Sequence, residues 1–493
     1  MMTTKDADHC KSAFFDIAGS ETGVPLTWRF FVPILVAAVV FVLFNFLPLE
    51  KYGDNTALGL AFLTASIVLM ISLPVNIAIC GLIIAVGGVI LGFWNYGDVG
   101  AVFGGSSFLS IFGMLIVSMG CEYTPFGRRM AYVVLRRFGQ KSSRMVLVLA
   151  VVTACISALV SNVAVIIIMS SVCAELLQTM GQKPGESHIG KTIMLIIPMA
   201  AIVGGIVLIN GSPTGNTMAI SFLENASGGR FSVSYGQWAY FGISCFVVTI
   251  IPISLVYMKC CGLKHSNVVM PPSEYYEQLL RELGPLSSAE IRWLLTVTGM
   301  VASMLCGVKP GLAALGFACI SMLPGIGTVP ADKAIKKLPL HVMIASGFVP
   351  LLAKLFSETG LGHCIGDWIG PLIQGLGPLG LSIVSALLMG TLVNVFVNAN
   401  LAVLALVMGV ITPVCIKLGY NPEVVLIPSM FLASFFFVMG AHNIMLLNKG
   451  YGYWEIRDPM LPGTIVVLLC AVIFPIICCC IAPLLGMSIY ILG

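Results

Sequence analysis

Apolar runs of roughly 16 to 20 residues, parted by short polar or basic stretches, recur from residue 30 to the end of the chain. The length matches a roughly 30 Å hydrocarbon core crossed at about 1.5 Å per residue, so each run predicts a membrane-spanning helix. The first four lie at Phe30 to Pro48, Ala57 to Leu73, Val75 to Trp94 and Gly104 to Met119. Residues 125–144 then carry six Arg or Lys, and the spacing of Met130, Val133, Val134 and Phe138 leaves an apolar stripe beside a basic face. That pattern predicts a helix lying at a cytoplasmic interface.

Met145 to Leu177 is too long for one comfortable span and is interrupted by Ser161-Asn162. With Arg144 before it and Lys183 and Lys191 after it, the positive-inside rule predicts a re-entrant hairpin tipped by Ser161, Asn162, Val163 and Ala164. One tilted helix with a polar kink is the alternative. Thr192 to Ile209 runs into Asn210-Gly211-Ser212-Pro213-Thr214-Gly215-Asn216, where two glycines, a proline and four hydrogen-bonding side chains predict unwound backbone around an enclosed polar site. Trp238 to Met258 crosses back, and a loop of about 30 residues with Glu274, Glu277, Arg281 and Glu282 reads as a solvated connector.

The second half repeats this plan. Ile291 to Cys306, Gly311 to Pro324 and Leu340 to Phe356 span; Leu379 to Leu418 is overlong and broken by Asn394, Asn398 and Asn400; Val424 to Met439 meets Gly440-Ala441-His442-Asn443; and the last span starts at Thr464. Asn162 and Asn398 are 236 positions apart, Asn216 and Asn443 are 227 apart, and Phe126-Gly127 and Leu361-Gly362 are 235 apart, which reads as an internal duplication with halves of opposite orientation. The expected architecture is an all-α membrane protein of about 11 transmembrane helices plus two re-entrant hairpins in two inverted repeats. Its parts are a cytoplasmic segment 1–28, a first helix 29–56, repeat 1 at 57–258 (hairpin 145–178, broken helix 192–223), a cytoplasmic linker 259–290 and repeat 2 at 291–493 (hairpin 379–418, broken helix 424–448). This topology puts 20 of the 25 Lys and Arg inside, with the N-terminus cytoplasmic, the C-terminus outside and no cleavable signal.

Composition narrows the function. Hydrophobic residues make up 58% of the 493 and charged ones 9%, so most of the surface faces lipid and nucleic-acid binding is excluded. The 16 cysteines lie mostly within apolar runs without metal-type spacing and read as small core residues. The six histidines are scattered and no nucleophile motif occurs, so no enzyme chemistry and no enzymatic cofactor is expected. Broken helices at matching places in two halves are the pattern of a secondary transporter. Helix N-termini and free amides suit an anion, while stranded carbonyls with Asn and Ser oxygens suit a hard cation such as Na⁺. Neither break carries an acid to shuttle protons or a base to clamp an anion. His442 is the exception: it can hydrogen-bond a carboxylate, titrate, or satisfy a neighbouring carbonyl. Lys354 and Glu358, four residues apart, read as an internal pair or as side chains reaching an interface.

The chain resembles the divalent anion:sodium symporter (DASS) family along nearly its whole length after the first span. The resemblance rests on Ser157-x-x-x-Ser161-Asn162, Gly204-Gly205 followed by Gly211 to Asn216, Leu283-Gly284-Pro285-Leu286-Ser287, Thr359-Gly360-Leu361, and Gly450-Tyr451 to Asp458, in that order. It implies a homodimer with a scaffold part and a mobile part, moving as an elevator to carry di- or tricarboxylates, or sulfate, usually with Na⁺. The family's Ser-Asn-Thr tips fall on Ser161, Asn162 and Val163 and on Val397, Asn398 and Ala399. Its Thr-Pro-Pro-Asn breaks fall near Pro213 to Asn216 and on Gly440 to Asn443. Substrate contacts are thereby expected at Ser161, Asn162, Val163, Thr214, Asn398, Ala399 and His442. Na⁺ ligands are expected at Ser161, Asn162, Gly211, Ser212, Asn216, Asn398, Gly440 and Asn443. The second tip has no hydroxyl and the second break has no proline, so Na⁺-independent exchange, or a different anion such as sulfate, is the alternative reading.

Overall fold

The computed structural model describes residues 28–72, 76–263 and 268–491. The expected N-terminal segment and part of the linker lie outside them. Secondary structure among the described residues is helical, apart from an isolated bridge between Tyr420 and Tyr490. Nine helices there are long and apolar enough to cross a membrane. The all-α membrane architecture expected from the hydrophobic pattern is thus present.

Both overlong stretches are helix pairs. Ser142–Leu159 and Asn162–Thr179 are joined by two residues, and Gly377–Val395 and Asn400–Lys417 by four. Each doubles back on itself, because in each the helix that leads into the first arm also touches the far end of the second. Phe126–Phe138 leads into Ser142, and its Tyr132 and Leu135 gather with Val172 and Leu176 near the second arm's end. Leu361–Ile373 leads into Gly377, and its Asp367 pairs with Lys417 at the end of the second arm. Helix Tyr235–Cys260 relates the two bases. It starts three residues after Ser232, whose amide donates to Glu423 just past the second hairpin, and ends beside Cys261, whose carbonyl lies 3.2 Å from the His188 ring. Its 26 residues span about 39 Å, so the bases lie on opposite faces of the molecule.

Four details depart from the sequence reading. The connector is docked: it holds helix Ser273–Glu282, whose buried Tyr276 packs toward Phe126–Phe138, while Ser273 donates to the Arg136 carbonyl. A Tyr at the centre of an amphipathic turn buries apolar area that a free loop would leave in water. The Leu340 to Phe356 span is two helices, Leu340–Phe348 and Leu351–Glu358, separated at Val349-Pro350, where proline has no N–H to donate. Lys354 pairs with Asp98 at 3.3 Å rather than with Glu358. Asp98 belongs to an additional helix, Tyr96–Gly104, started by an Asn95/Asp98 capping box in a stretch to which the hydrophobic pattern assigns no element.

A buried ion pair ties the halves together. Arg129 is fork-bonded to Glu290 through Nε at 2.8 Å and Nη2 at 3.2 Å, and its remaining donors reach the carbonyls of Gly284 and Pro285. Glu290 in turn accepts from the Ser287 amide at the start of helix Ser288–Leu305. The guanidinium thus joins the Glu290 carboxylate to a turn made possible by Gly284 at φ +68°.

Candidate functional site

The site forms where the hairpin tips meet two unwound stretches. Helix His188–Gly205 lies in the interior and stops at Gly204-Gly205; a short 3₁₀ turn, Ile209–Gly211, follows, and a new helix begins with Pro213 in its first turn. Small residues let the first hairpin arm press against this stretch. A methyl group at Gly204 would fall 2.1 Å from the Ala154 carbonyl oxygen, and one at Gly211 would fall 2.4 Å from that of Ser157. Replacing Gly204 with Ala is therefore expected to destabilise the fold by about 1–3 kcal/mol, because backbone must move to admit it. A wild-type thermal midpoint for Gly204→Ala would count against this packing.

The freed backbone is partly re-satisfied by side chains from elsewhere. The Asn216 amide donates to the Gly205 and Leu208 carbonyls at 2.8 and 3.2 Å, the Trp238 indole donates to the Ile206 carbonyl at 2.9 Å, and the Tyr235 hydroxyl donates to Asn210 Oδ1 at 2.7 Å. What remains unbonded is polar and buried: Asn216 Oδ1, Asn210 Nδ2 and Thr217 Oγ1 find no partner among the described residues. The buried Asn162 side chain reaches toward the Gly205–Gly211 contact, its Nδ2 3.7 Å from where a Gly205 methyl would stand.

The second half is built on matching pairs. Ser157 donates to the Ala201 carbonyl in the first half; in the second, Ser382 donates to the Val425 carbonyl and Ser429 bonds Ser385, with partners 43 or 44 residues apart in every case. Unwinding here starts earlier than expected. Helix Ile427–Leu432 ends at Leu432, and the chain stays irregular until the one-turn helix Asn443–Leu446. Asn394 is the cause: its amide donates to the Phe435 carbonyl at 2.7 Å and its oxygen accepts from the Val438 amide at 3.0 Å, which draws those groups out of any helix. Asn398, at the tip, is the only non-glycine residue with positive φ among the described residues, at +65°, and its Oδ1 accepts from the Asn443 amide at 3.1 Å. The two halves meet where Gly215 faces Ser434, whose hydroxyl would lie 3.1 Å from a methyl at that glycine.

Helix starts dominate the electrostatics. Asn162–Thr179, Pro213–Ala226 and Asn400–Lys417 each begin at the site without a side-chain cap, so first-turn amides and the positive dipole end are free for an anion. Oxygens that suit a cation are the Ser161 and Ser212 hydroxyls, Asn216 Oδ1 and the carbonyls near Gly211 and Gly440. Ser161 also donates its amide to Ser118 Oγ at 3.2 Å. Thr214 lies in the first turn of its helix, Ala399 is buried just before Asn400, and Val163 is exposed one residue past Asn162. His442 caps the one-turn helix: its Nδ1 accepts from the Ile444 amide at 3.3 Å, which leaves the proton on Nε2, and its ring stacks on Phe436 at 4.0 Å.

Sequence reasoning missed Tyr235, Trp238, Ser434 and Asn448. Asn448 donates to the Met194 carbonyl at 2.6 Å and accepts from the Trp454 indole, fastening the second break's exit to the interior helix. All four act across elements, and no local spacing signals them.

A model of the citrate transporter family CitMHS matches residues 26–411. Two curated relatives are sodium-dependent dicarboxylate transporters: one from Staphylococcus saprophyticus, 22% identical over 69% of this chain and 69% of its own, and one from Staphylococcus aureus, 22% identical over 77% and 78%. Among solved structures, the Alcanivorax borkumensis YdaH transporter covers 94% of this chain and 98% of its own at TM-score 0.52 and 14% identity. Neisseria gonorrhoeae MtrF, described with a class of antimetabolite efflux pumps, covers 92% and 95% at TM-score 0.55 and 12% identity. These likenesses confirm the fold and the kinship read from the tip and break motifs, and indicate a transporter rather than an enzyme. The chain belongs to the CitMHS citrate transporter family.

Proposed function

We propose that the protein is a secondary active transporter of small di- or tricarboxylates, coupled to Na⁺ and working as a homodimer by elevator-type alternating access. In this reading it sits in a plasma or inner membrane with its N-terminus cytoplasmic and about 11 crossings, the two halves being inverted repeats. The observation that carries it is the convergence of three uncapped helix starts with buried Asn and Thr groups that have no partner among the described residues. Free amides hold carboxylate oxygens and free oxygens hold a cation, so charge is balanced without any Lys, Arg, Asp or Glu at either break. The staphylococcal relatives, named as sodium-dependent dicarboxylate transporters, support both the dicarboxylate and the sodium.

One observation favours a second reading. In the second half, Asn394 and Asn398 already spend their oxygens on backbone amides, and Val397 and Ala399 supply none, so fewer cation ligands are on offer there. Na⁺-independent exchange, or carriage of another anion such as sulfate, fits that poverty. A thermal-shift screen with succinate, malate, citrate and sulfate, each in Na⁺ and in choline, separates the two, since a ligand of the folded state raises its unfolding midpoint. Stabilisation by a carboxylate only in Na⁺ is expected. Equal stabilisation in choline overturns the coupling, and no stabilisation by any carboxylate overturns the substrate class.

A further inference from the structure

The basic helix that precedes the first hairpin has three faces. Gly127, Ala131, Tyr132 and Leu135 are buried against the protein. Val133 and Phe138, 41% and 44% exposed, carry an apolar stripe outward from half-buried Met130 and Val134, which pack against the core. At the helix's C-terminal end stand Arg136, Arg137, Lys141 and Arg144, all exposed, four cations within nine residues.

None of the four has a carboxylate partner among the described residues. Arg137 lies against the Phe138 ring at 6.0 Å. The same place holds the start of an 18-residue helix, Ser142–Leu159, which has no side-chain cap. Its first amides and dipole therefore add to the four cations. An apolar stripe beside clustered cations and an open helix N-terminus matches a group with an anionic phosphate at the water boundary and acyl chains beside it.

We propose that residues 136–144 form a binding site for the headgroup of an anionic phospholipid, which anchors the base of the first hairpin to the membrane surface. The acyl chains lie along Val133 and Phe138 and the phosphodiester sits among Arg136, Arg137, Lys141, Arg144 and the free amides of Ser142 and Ser143. The inference is independent of what the carrier transports.

The test compares thermal unfolding of the full chain in nanodiscs of pure phosphatidylcholine with nanodiscs in which a quarter of the lipid is phosphatidylglycerol. The wild type is expected to gain about 3 °C with the anionic lipid. Arg136→Gln, Arg137→Gln, Lys141→Gln and Arg144→Gln combined should lose that gain, with an unchanged midpoint in phosphatidylcholine. Lys333→Gln with Lys336→Gln, on the same side of the molecule, should keep it. Should the fourfold variant not fold, Arg137→Gln with Lys141→Gln is used and is expected to lose about half. An undiminished gain in either site variant overturns the site. So does a gain reproduced by millimolar inorganic phosphate on protein in uncharged detergent, which would make the ligand a soluble anion.

Discussion

Uptake of carboxylate by Asn162→Ala, and separately by Asn398→Gly, is expected to fall about 10- to 100-fold while the purified proteins keep a folded, monodisperse state. The magnitude follows from removing one amide bonded to a charged ligand, about 1.5–3 kcal/mol in a buried site. Glycine is the better probe at position 398. The native φ of +65° there is tolerated by Asn and free for Gly, but strains Ala by about 1–2 kcal/mol, which would mix a folding defect with a transport defect. Asn162 carries no such strain, because it opens an ordinary helix and its side chain is bonded to no protein group among the described residues. Initial-rate uptake into proteoliposomes checks both. Wild-type rates in the two variants would sink the proposed site.

Arg129→Ala should be the most destabilising single change outside the site, by about 3–5 kcal/mol, because it leaves the Glu290 carboxylate buried without a counter-charge. The same substitution strands the Gly284 and Pro285 carbonyls. Arg129→Lys should recover only part of the loss, since one ammonium cannot copy a planar fork that reaches four oxygens at once. Arg129→Met with Glu290→Leu should sit between Arg129→Ala and wild type: the double change removes the unpaired charge, but also removes the carboxylate that accepts from the Ser287 amide. Thermal midpoints of the four proteins test this. If Arg129→Ala melts with the wild type, the pair is not a brace.

Much of this architecture was legible because membranes impose strict grammar on a chain. A polar pair such as Ser161-Asn162 inside a 33-residue apolar stretch has few explanations in lipid, and Asn210 to Asn216 cannot remain a helix, so the first hairpin and first break could be placed from residues alone. The second break was placed too late because its cause is not in its own sequence. Ala433 to Val438 is an unremarkable apolar run, and what unwinds it is Asn394, about 40 residues away on the neighbouring arm. The docked linker was likewise illegible, since Tyr276 in a polar stretch reads as a solvated residue until a partner helix is known. His442 had three open readings; the geometry makes it a helix cap and leaves Nε2–H as its remaining donor.

The glycine contacts at Gly204 and Gly211 also bear on how the protein comes to exist in a membrane. Neither the segment with Asn210, Ser212 and Asn216 nor the arm ending in Ser161 is self-sufficient in lipid; the two pack closely at Gly204 and Gly211, and Ser157 on the arm donates to the Ala201 carbonyl. They cannot be inserted one after another as finished helices, and must wait as a loosely held set until Tyr235 and Trp238 arrive, the last of these partners to be synthesised. Substitutions along this seam should therefore be recognised by cellular quality control before transport is ever attempted. Their signature would be a missing protein rather than a silent carrier.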